Sequence, residues 1–548
     1  MLNLKSAYFY FLALKITFIK NLKKVYFKSD YYIRSITSKT PSRFYFQPNP
    51  FLLTSLTNNK KFSFKVTDID PDLFWNEQNS TRETENIHNF IWLNLIDRKN
   101  DVTILQRIIT VWIYKNSSYK KIIWGNSTIS KRIISWILNS DIILNKTDDI
   151  FKNDFFKSIV TQVNHLKKNI KYEKDYSKKI EILTAIMLVG LVFIEYEDNF
   201  NFGEKELKKI VDSFFDKNGF PVSRNPNDLV KFLKYLILLK ECIRDSQKYV
   251  PDYLDEIIDK NLNCLISILT PNHQLPLFNG STSFHLEEFY NYVLKLGYKF
   301  NKPKHNVGDF QIIKNKKNII YFDVGQAPEK KFSSEYQAGP LSFEYFIDSE
   351  KVITNCGFGF NISKKAVLLS RLTSAQSTAS INDTSVIKFE RNKLINKVFG
   401  NSIKENFKIF DFFYSDDELE IKSSATHNAY EKLYGCIHKR EIKINKKDNI
   451  VLGTDEITKK KDDQRTKFNI RFHLTPSIEA VQTMGGKTIL IQFKKNKSLV
   501  FSSDKENINI EKSIFLGGNK ILNNLCINIS GNINNGNNVI KWEIKKKM

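Results

Sequence analysis

The sequence predicts an α+β multidomain chain, a helical array or toroid followed by an antiparallel β-sandwich. Three observations lead there. The 548 residues exceed what one hydrophobic core usually organises. From about Asp68 to Phe300 apolar residues recur at helical spacing, with no convincing strand between them. Around Pro303 the texture changes to short β-rich runs bounded by Gly, Asn, Asp and Lys. We read residues 1–67 as a basic, aromatic N-terminal extension, 68–302 as the helical domain and 303–548 as the sandwich.

The N-terminus, MLNLKSAYFYFLALKITFIKNLKK, mixes aromatics with lysines. Its uncharged run from Ser6 to Leu14 falls far short of the ~20 residues that span a bilayer, so no stable membrane insertion is expected. No small-x-small cleavage site follows clearly, which makes a secretory signal weak. The stretch reads as an aromatic helix that packs on the next domain or touches a membrane surface. In the helical domain, Leu229, Phe232, Leu233, Leu236 and Ile237 form one amphipathic stripe. Similar stripes run through Ile180–Phe193, Tyr253–Ile268 and Phe284–Leu296, separated by breaks such as Asn218-Gly219 and Pro271-Asn272.

The second half opens with a strand in KKNIIYFDVG, Lys316–Gly325. The stretch from Tyr336 to Ser385 follows. Leu341, Phe343 and Tyr345 alternate onto one strand face, Asp348, Ser349 and Glu350 turn, and a second strand ends at Asn355-Cys356-Gly357. A strand carrying Ser374, Gln376 and Ser377 is expected next. Three carboxamides, Gln337, Asn355 and Gln376, then lie at strand ends, where a polar site fits better than a core. Further strands are expected at Lys408–Phe413, Thr488–Phe493 and Val539–Ile544, with hairpin connections at Gly485-Gly486 and Asn534–Asn538.

The formal net charge is +25, from 84 basic and 59 acidic side chains. Such an excess favours anionic partners, yet it is dispersed through a Lys-, Asn- and Ile-rich sequence of the kind an AT-biased genome produces. A nucleic-acid partner is not expected, because no helix-turn-helix, RNP motif or clustered basic helix accompanies the charge. Five well-separated cysteines without a CxxC argue against disulfides and a thiolate metal site. The eight histidines are scattered, and none has metal-ligand spacing to another. Gly486-Lys487-Thr488 is not a phosphate loop, since position 481 is Val and a strand follows. Neither G-x-S-x-G nor H-E-x-x-H occurs.

Several segments in order carry a family resemblance. They are Ile87–Leu93 (IHNFIWL), Trp124, Arg132 and Trp136 in WGNSTISKRIISW, NGFPVSRNP at Asn218–Pro226, and Leu277–Gly280 (LFNG). In the second half they are Asp323-Val324-Gly325, the stretch from Tyr336, Tyr434–Arg440, Ile470–Pro476 and Ser513–Gly517. Together they resemble the bacterial heparinase II/III-like family of polysaccharide lyases. The resemblance implies an N-terminal (α/α) toroid, a C-terminal antiparallel β-sandwich and cleavage of an acidic, uronic-acid polysaccharide by β-elimination. It also implies work in the periplasm or at the cell envelope, although a cytoplasmic location stays open without a clear signal peptide.

The departures from the family pattern are specific. The family's Asn-His pair falls at Ser177-Lys178, a turn histidine at Pro221 and its tyrosine at Asp228. A structural zinc is held in some members by His, Asp and His. Those positions are Gln337, Asn355 and Gln376 here, so neither zinc nor another cofactor is expected. The candidate catalytic residues are Tyr336, Gln337, Gln376 and Arg371, with Arg224, Asn225, Asn279 and Asn355 binding substrate. Tyr336 would serve as base or acid if Arg371 or Arg224 lowered its pKa. The alternative for each residue is structural, with Tyr336 packed at a strand edge and the arginines paired with acids. The alternative for the whole protein is a non-catalytic relative that binds acidic glycan.

Overall fold

The computed structural model describes residues 4–57, 70–75, 80–96, 98, 102–460, 465–483, 485–494, 497–505 and 507–547. The expected boundary at 67/68 lies outside the described residues. The chain forms two compact units, one of residues 1–214 with 230–259 and one of residues 215–229 with 260–548.

The first unit is helical. Its longer helices include Leu4–Phe27, Val102–Lys115, Asn126–Leu138, Asp149–Asn169, Tyr176–Val192 and Asp198–Phe214. The helices Pro226–Asp245 and Asp252–Ile268 each run from one unit into the other. The stripe Leu229, Phe232, Leu233, Leu236 and Ile237 is fully buried on the first of these, as its spacing predicts. Pro226 opens that helix where a missing N–H costs nothing. The expected helix at Phe284–Leu296 is shorter, Glu287–Lys295, because Gln274 and His285 form a β-bridge just before it.

Ile87–Leu93 and Trp124–Trp136 meet in one aromatic core of this unit. Phe90, Trp112 and Trp136 pack edge to face, with ring centroids 5.2–5.6 Å apart. The buried Arg132 guanidinium lies 4.3 Å over the Trp112 ring and donates to Gln162 Oε1 and the His88 carbonyl, each at 2.7 Å. These bonds offset the cost of burying the charge.

The second unit is a two-sheet antiparallel sandwich. Its strands are β1 (Asn306–Val307), β2 (Phe310–Lys314), β3 (Asn318–Asp323), β4 (Phe343–Ile347), β5 (Glu350–Thr354) and β6 (Ala379–Ile381). They continue as β7 (Ile409–Asp416), β8 (Glu420–His427), β9 (Cys436–Asn445), β10 (Val451–Lys459), β11 (Thr466–Leu474) and β12 (Glu479–Gln482). The last are β13 (Thr488–Lys494), β14 (Lys497–Ser503), β15 (Ile508–Phe515), β16 (Leu522–Ile533) and β17 (Gly536–Lys546). One sheet runs β1-β2-β3-β4-β5-β11-β16-β15, with β6 beside β11, and the other β12-β13-β14-β17-β10-β9-β8-β7.

Side chains alternate between buried and partly exposed along β9 and β10, so each strand gives one face to the core. Phe343 of β4 stacks on Trp542 of β17, with centroids 5.6 Å apart, and joins the two sheets. The β4–β5 hairpin turns on Asp348 and Ser349, both left-handed at φ 48° and 66°, as a tight two-residue turn requires.

Two expectations for this unit fail. Leu341 does not alternate within β4 but precedes it in a left-handed turn at φ 58°. Ser374, Gln376 and Ser377 do not lie in a strand. A helix at Lys364–Ser370 and a 3-10 turn at Thr373–Ala375 come first, and the strand begins at Ala379. The Gln376 amide explains the difference, because it donates back to the carbonyls of Ser370 and Leu372 at 2.8 and 3.3 Å. The Ser370 carbonyl, at the last residue of the helix, has no intrahelical partner.

Candidate functional site

Every residue assigned to the site from sequence lies in the second unit. The turn Asn218–Pro226 starts it. Arg224 sits in the left-handed region at φ 57°, which costs a non-glycine residue about a kcal/mol. It is held there by an ion pair to Asp323 at the end of β3, Nη2 to Oδ1 at 2.7 Å, with both side chains buried. Its Nε donates to the Gly308 carbonyl at 3.1 Å, and the Phe310 ring lies 4.7 Å beneath the guanidinium. Burial works against the Arg224 charge, but Asp323 and Asp309 outweigh it and keep the group protonated. Arg224 is therefore neutralised within the fold.

Asn225 follows, and its side chain works in two directions. Its Oδ1 accepts from Asn227 N at 2.9 Å and caps the helix that Pro226 begins. Its Nδ2 donates to Glu335 Oε2 at 2.7 Å. The LFNG loop closes over this contact. Asn279 and Gly280 both have positive φ, 50° and 97°. A Cβ on Gly280 would stand 2.7 Å from Asn225 Nδ2 and 2.9 Å from Glu335 Cβ, so glycine is needed for space as well as for conformation. The Asn279 Nδ2 is buried without a partner.

The three carboxamides come together, but not as an open site. Gln337, Asn355 and Gln376 are 1%, 0% and 1% exposed. Gln337 accepts from Gly280 N at 3.0 Å and donates to the carbonyls of Gly357 and Ser370 at 3.1 and 2.7 Å. Gln376 shares the Ser370 carbonyl, and Asn355 Oδ1 accepts from Ser377 N at 2.9 Å. The expectation that strand-end carboxamides face a polar cleft therefore gives way to a buried knot that ties four loops. Satisfying loop carbonyls in the interior is what such amides do well.

Arg371 is spent in the same way. It donates to the carbonyls of Tyr336 and Ser333 at 2.7 and 2.8 Å and to that of Asn401, with the Phe389 ring 3.9 Å away. Burial holds it down to about 9, partly offset by Glu335. The Tyr336 hydroxyl is buried without a partner. Burial, then Asp323, pushes its pKa up, with Arg224 only partly opposing them. That direction is opposite to the one a tyrosine base needs.

Glu335, which the sequence reading passed over, is the carboxylate at this place. It is half-buried, hydrogen-bonded to Asn225 and near Arg371. Its only sequence signal is its position, directly before Tyr336 in SSEYQAG. The helical unit holds a separate charged cluster. Glu181 is buried, with Lys231 Nζ at 2.9 Å and Lys131 Nζ at 3.7 Å, and it accepts from the Ser127 hydroxyl. Burial raises the Glu181 pKa, but the two lysines outweigh it and leave the carboxyl below its ordinary range.

Residues 301–543 match the family described as heparinase II/III-like, C-terminal. Residues 301–543 therefore form a heparinase II/III-like C-terminal domain. Its fold is also similar to solved structures. A heparan sulfate lyase HepC mutant from Pedobacter heparinus aligns with TM-score 0.65 at 13% identity, covering 86% of this chain and 78% of that one. A structure of heparinase III aligns with TM-score 0.67 at 12% identity, covering 94% and 88%. A chondroitinase AC lyase aligns with TM-score 0.50 at 11% identity, covering 90% and 82%. No curated protein sequence matches. The fold is thus the (α/α) toroid plus antiparallel β-sandwich of heparinase-type lyases.

In this heparinase II/III-like C-terminal domain the positions implied for zinc do not suit the ion. Gln337 Oε1 is already held by Gly280 N, and its amide nitrogen is committed to two carbonyls. Neutral amides are also weak ligands for zinc beside imidazole and carboxylate. Among the described residues, no three His, Cys, Asp or Glu side chains stand together as a metal-binding group.

Proposed function

We propose that the protein is a polysaccharide lyase that cleaves an acidic, uronic-acid chain by β-elimination, with a carboxylate-based site. The observation that carries this reading is the 2.7 Å bond from Asn225 to Glu335, which fixes a half-buried carboxylate within a heparinase II/III-like C-terminal domain. In the elimination Glu335 takes the C5 proton of the uronate. The C–H electron pair forms the C4–C5 double bond, the C4–O4 bond breaks, and Glu335 returns the proton to O4. The atoms balance without water or a cofactor. Asn225 orients the carboxylate. Tyr336, Gln337, Gln376 and Arg371 position the loops around Glu335. A substrate of this class puts the work at the cell envelope.

A second reading is a glycan-binding relative without turnover. It is favoured by the commitment of Gln337, Gln376 and Arg371 to main-chain carbonyls, which leaves few groups free for chemistry. A panel of uronic-acid polysaccharides, followed by ultraviolet absorbance of the unsaturated product, separates the two. Rising absorbance with one polymer supports the lyase. Binding to a polymer with no absorbance change supports the second reading. Salt-sensitive binding to DNA alone would remove both.

A further inference from the structure

We propose that the helix Leu4–Phe27 is a docking surface for an anionic lipid bilayer, lying along the headgroup region rather than crossing it. The helix is 24 residues, about 36 Å at 1.5 Å per residue. Ala13 is fully buried and Phe27 packs on Tyr32, Tyr119 and His165, so the helix has an inner side within its own unit. The other side is apolar and open. Tyr8, Phe11, Phe18, Leu22 and Val25 recur at spacings of three, four and seven, and all are more than half exposed. Tyr10, Leu14 and Ile19 widen this face to roughly half of the circumference at 100° per residue. A soluble surface rarely leaves so continuous an aromatic and aliphatic stripe uncovered.

The charges identify what covers it. The helix carries lysines at 5, 15, 20, 23 and 24 and no acidic residue, and Lys28 follows it directly. Lys23 lies over the ring of Tyr172, which is half exposed, and next to Lys171. Burial, and after it the Lys171 charge, hold Lys23 down to about 8. A second copy of the helix is a poor occupant. Lys15 falls within the stripe at the same three-and-four spacing, so pairing would bury two lysines with no acid on either helix to meet them. A spanning role is also excluded, since no helix among the described residues is long and apolar enough to cross a membrane. Lysines flanking an aromatic face suit an interfacial helix on an anionic leaflet.

The experiment is cosedimentation of the full-length protein with vesicles of phosphatidylcholine alone and of equal parts phosphatidylcholine and phosphatidylglycerol. The proposal expects about tenfold or stronger binding to the phosphatidylglycerol vesicles, weakened by salt. The triple variant Phe11→Ser, Phe18→Ser, Leu22→Ser should lose that binding, while its thermal unfolding stays near wild type because all three side chains are exposed. A second variant, Lys15→Gln, Lys20→Gln, Lys24→Gln, should lose the lipid preference. Equal binding to both vesicle types, undiminished binding by the serine variant, or a wild-type dimer that the serine variant turns to monomer would each overturn the proposal.

Discussion

Arg440 on β9 grips Asp455 on β10 through two bonds, Nε to Oδ1 at 2.7 Å and Nη2 to Oδ2 at 3.1 Å, at the centre of the sandwich. The same guanidinium donates from Nη1 to the carbonyls of Leu341 and Ser377, at 2.9 and 2.8 Å. Asp455 also accepts from His438 Nε2 at 2.7 Å and Trp542 Nε1 at 2.9 Å. One carboxylate thereby organises three strands and, through Arg440, the loops on either side of the candidate site.

Removing that carboxylate should be costly. Asp455→Asn leaves Arg440 buried without its counter-charge, a change worth about 3–5 kcal/mol. Chemical denaturation of the variant should show a lowered midpoint of that size. A midpoint within about 0.5 kcal/mol of wild type would mean that the pair does not hold the sandwich together.

Acid should weaken the fold in a defined window. Burial holds His88 and His473 down to about 4, and His165 to about 3, against an ordinary value of 6.5. A group with a depressed folded pKa contributes its stability above the unfolded value and loses it as pH falls toward the folded one. Stability should therefore be flat from about pH 7 to 8 and fall from about pH 6.5 to 4, by roughly 1.4 kcal/mol per unit for each histidine. Below about pH 4 the loss of Asp455, held well under its ordinary value by Arg440 and His438 despite burial, adds to it. Thermal unfolding across this range measures the slope, and His473→Gln should reduce it. A melting temperature that rises on acidification would contradict the assignment.

Metal removal should do nothing to the fold. Gln337, Asn355 and Gln376 tie the loops through their own hydrogen bonds, so chelation should leave the melting temperature unchanged. Stoichiometric zinc in the purified protein, with unfolding on chelation, would show that the knot is not what holds these loops.

The fold was legible because its signals are periodic. Leu229 to Ile237 repeat at helical spacing and Asp348-Ser349 supply the turn, so helix and hairpin follow from local pattern, whereas Leu341 stands at φ 58° before the strand that begins at Phe343. The site was less legible because its residues are defined by what they meet. Gln376 has the same composition signal at a strand edge as at a helix end, and only the carbonyls of Ser370 and Leu372 decide between them. Arg224 looks like a free cation until Asp323, about a hundred residues on, is folded against it. Glu335 drew no notice because its partner Asn225 is equally distant in sequence.

Gly280 tests the geometry around Glu335 from the backbone side. Gly280→Ala places a methyl group against Asn225 Nδ2 and the Glu335 side chain at a left-handed φ. The expected result is a loss of about 1–3 kcal/mol in stability together with a larger fractional loss of turnover than of substrate binding. Unchanged turnover would separate the LFNG loop from the site.

The central claim is that Glu335, rather than Tyr336, moves the proton. Its most direct test is the initial rate of unsaturated product formation by wild type, Glu335→Gln and Tyr336→Phe on one uronic-acid polymer that the wild type cleaves. The account predicts that Glu335→Gln keeps substrate binding and loses at least about a hundredfold in rate. Tyr336→Phe, which removes only an unpartnered buried hydroxyl, should stay within a few-fold of wild type. A Glu335→Gln enzyme that turns over normally while Tyr336→Phe is inactive would contradict it.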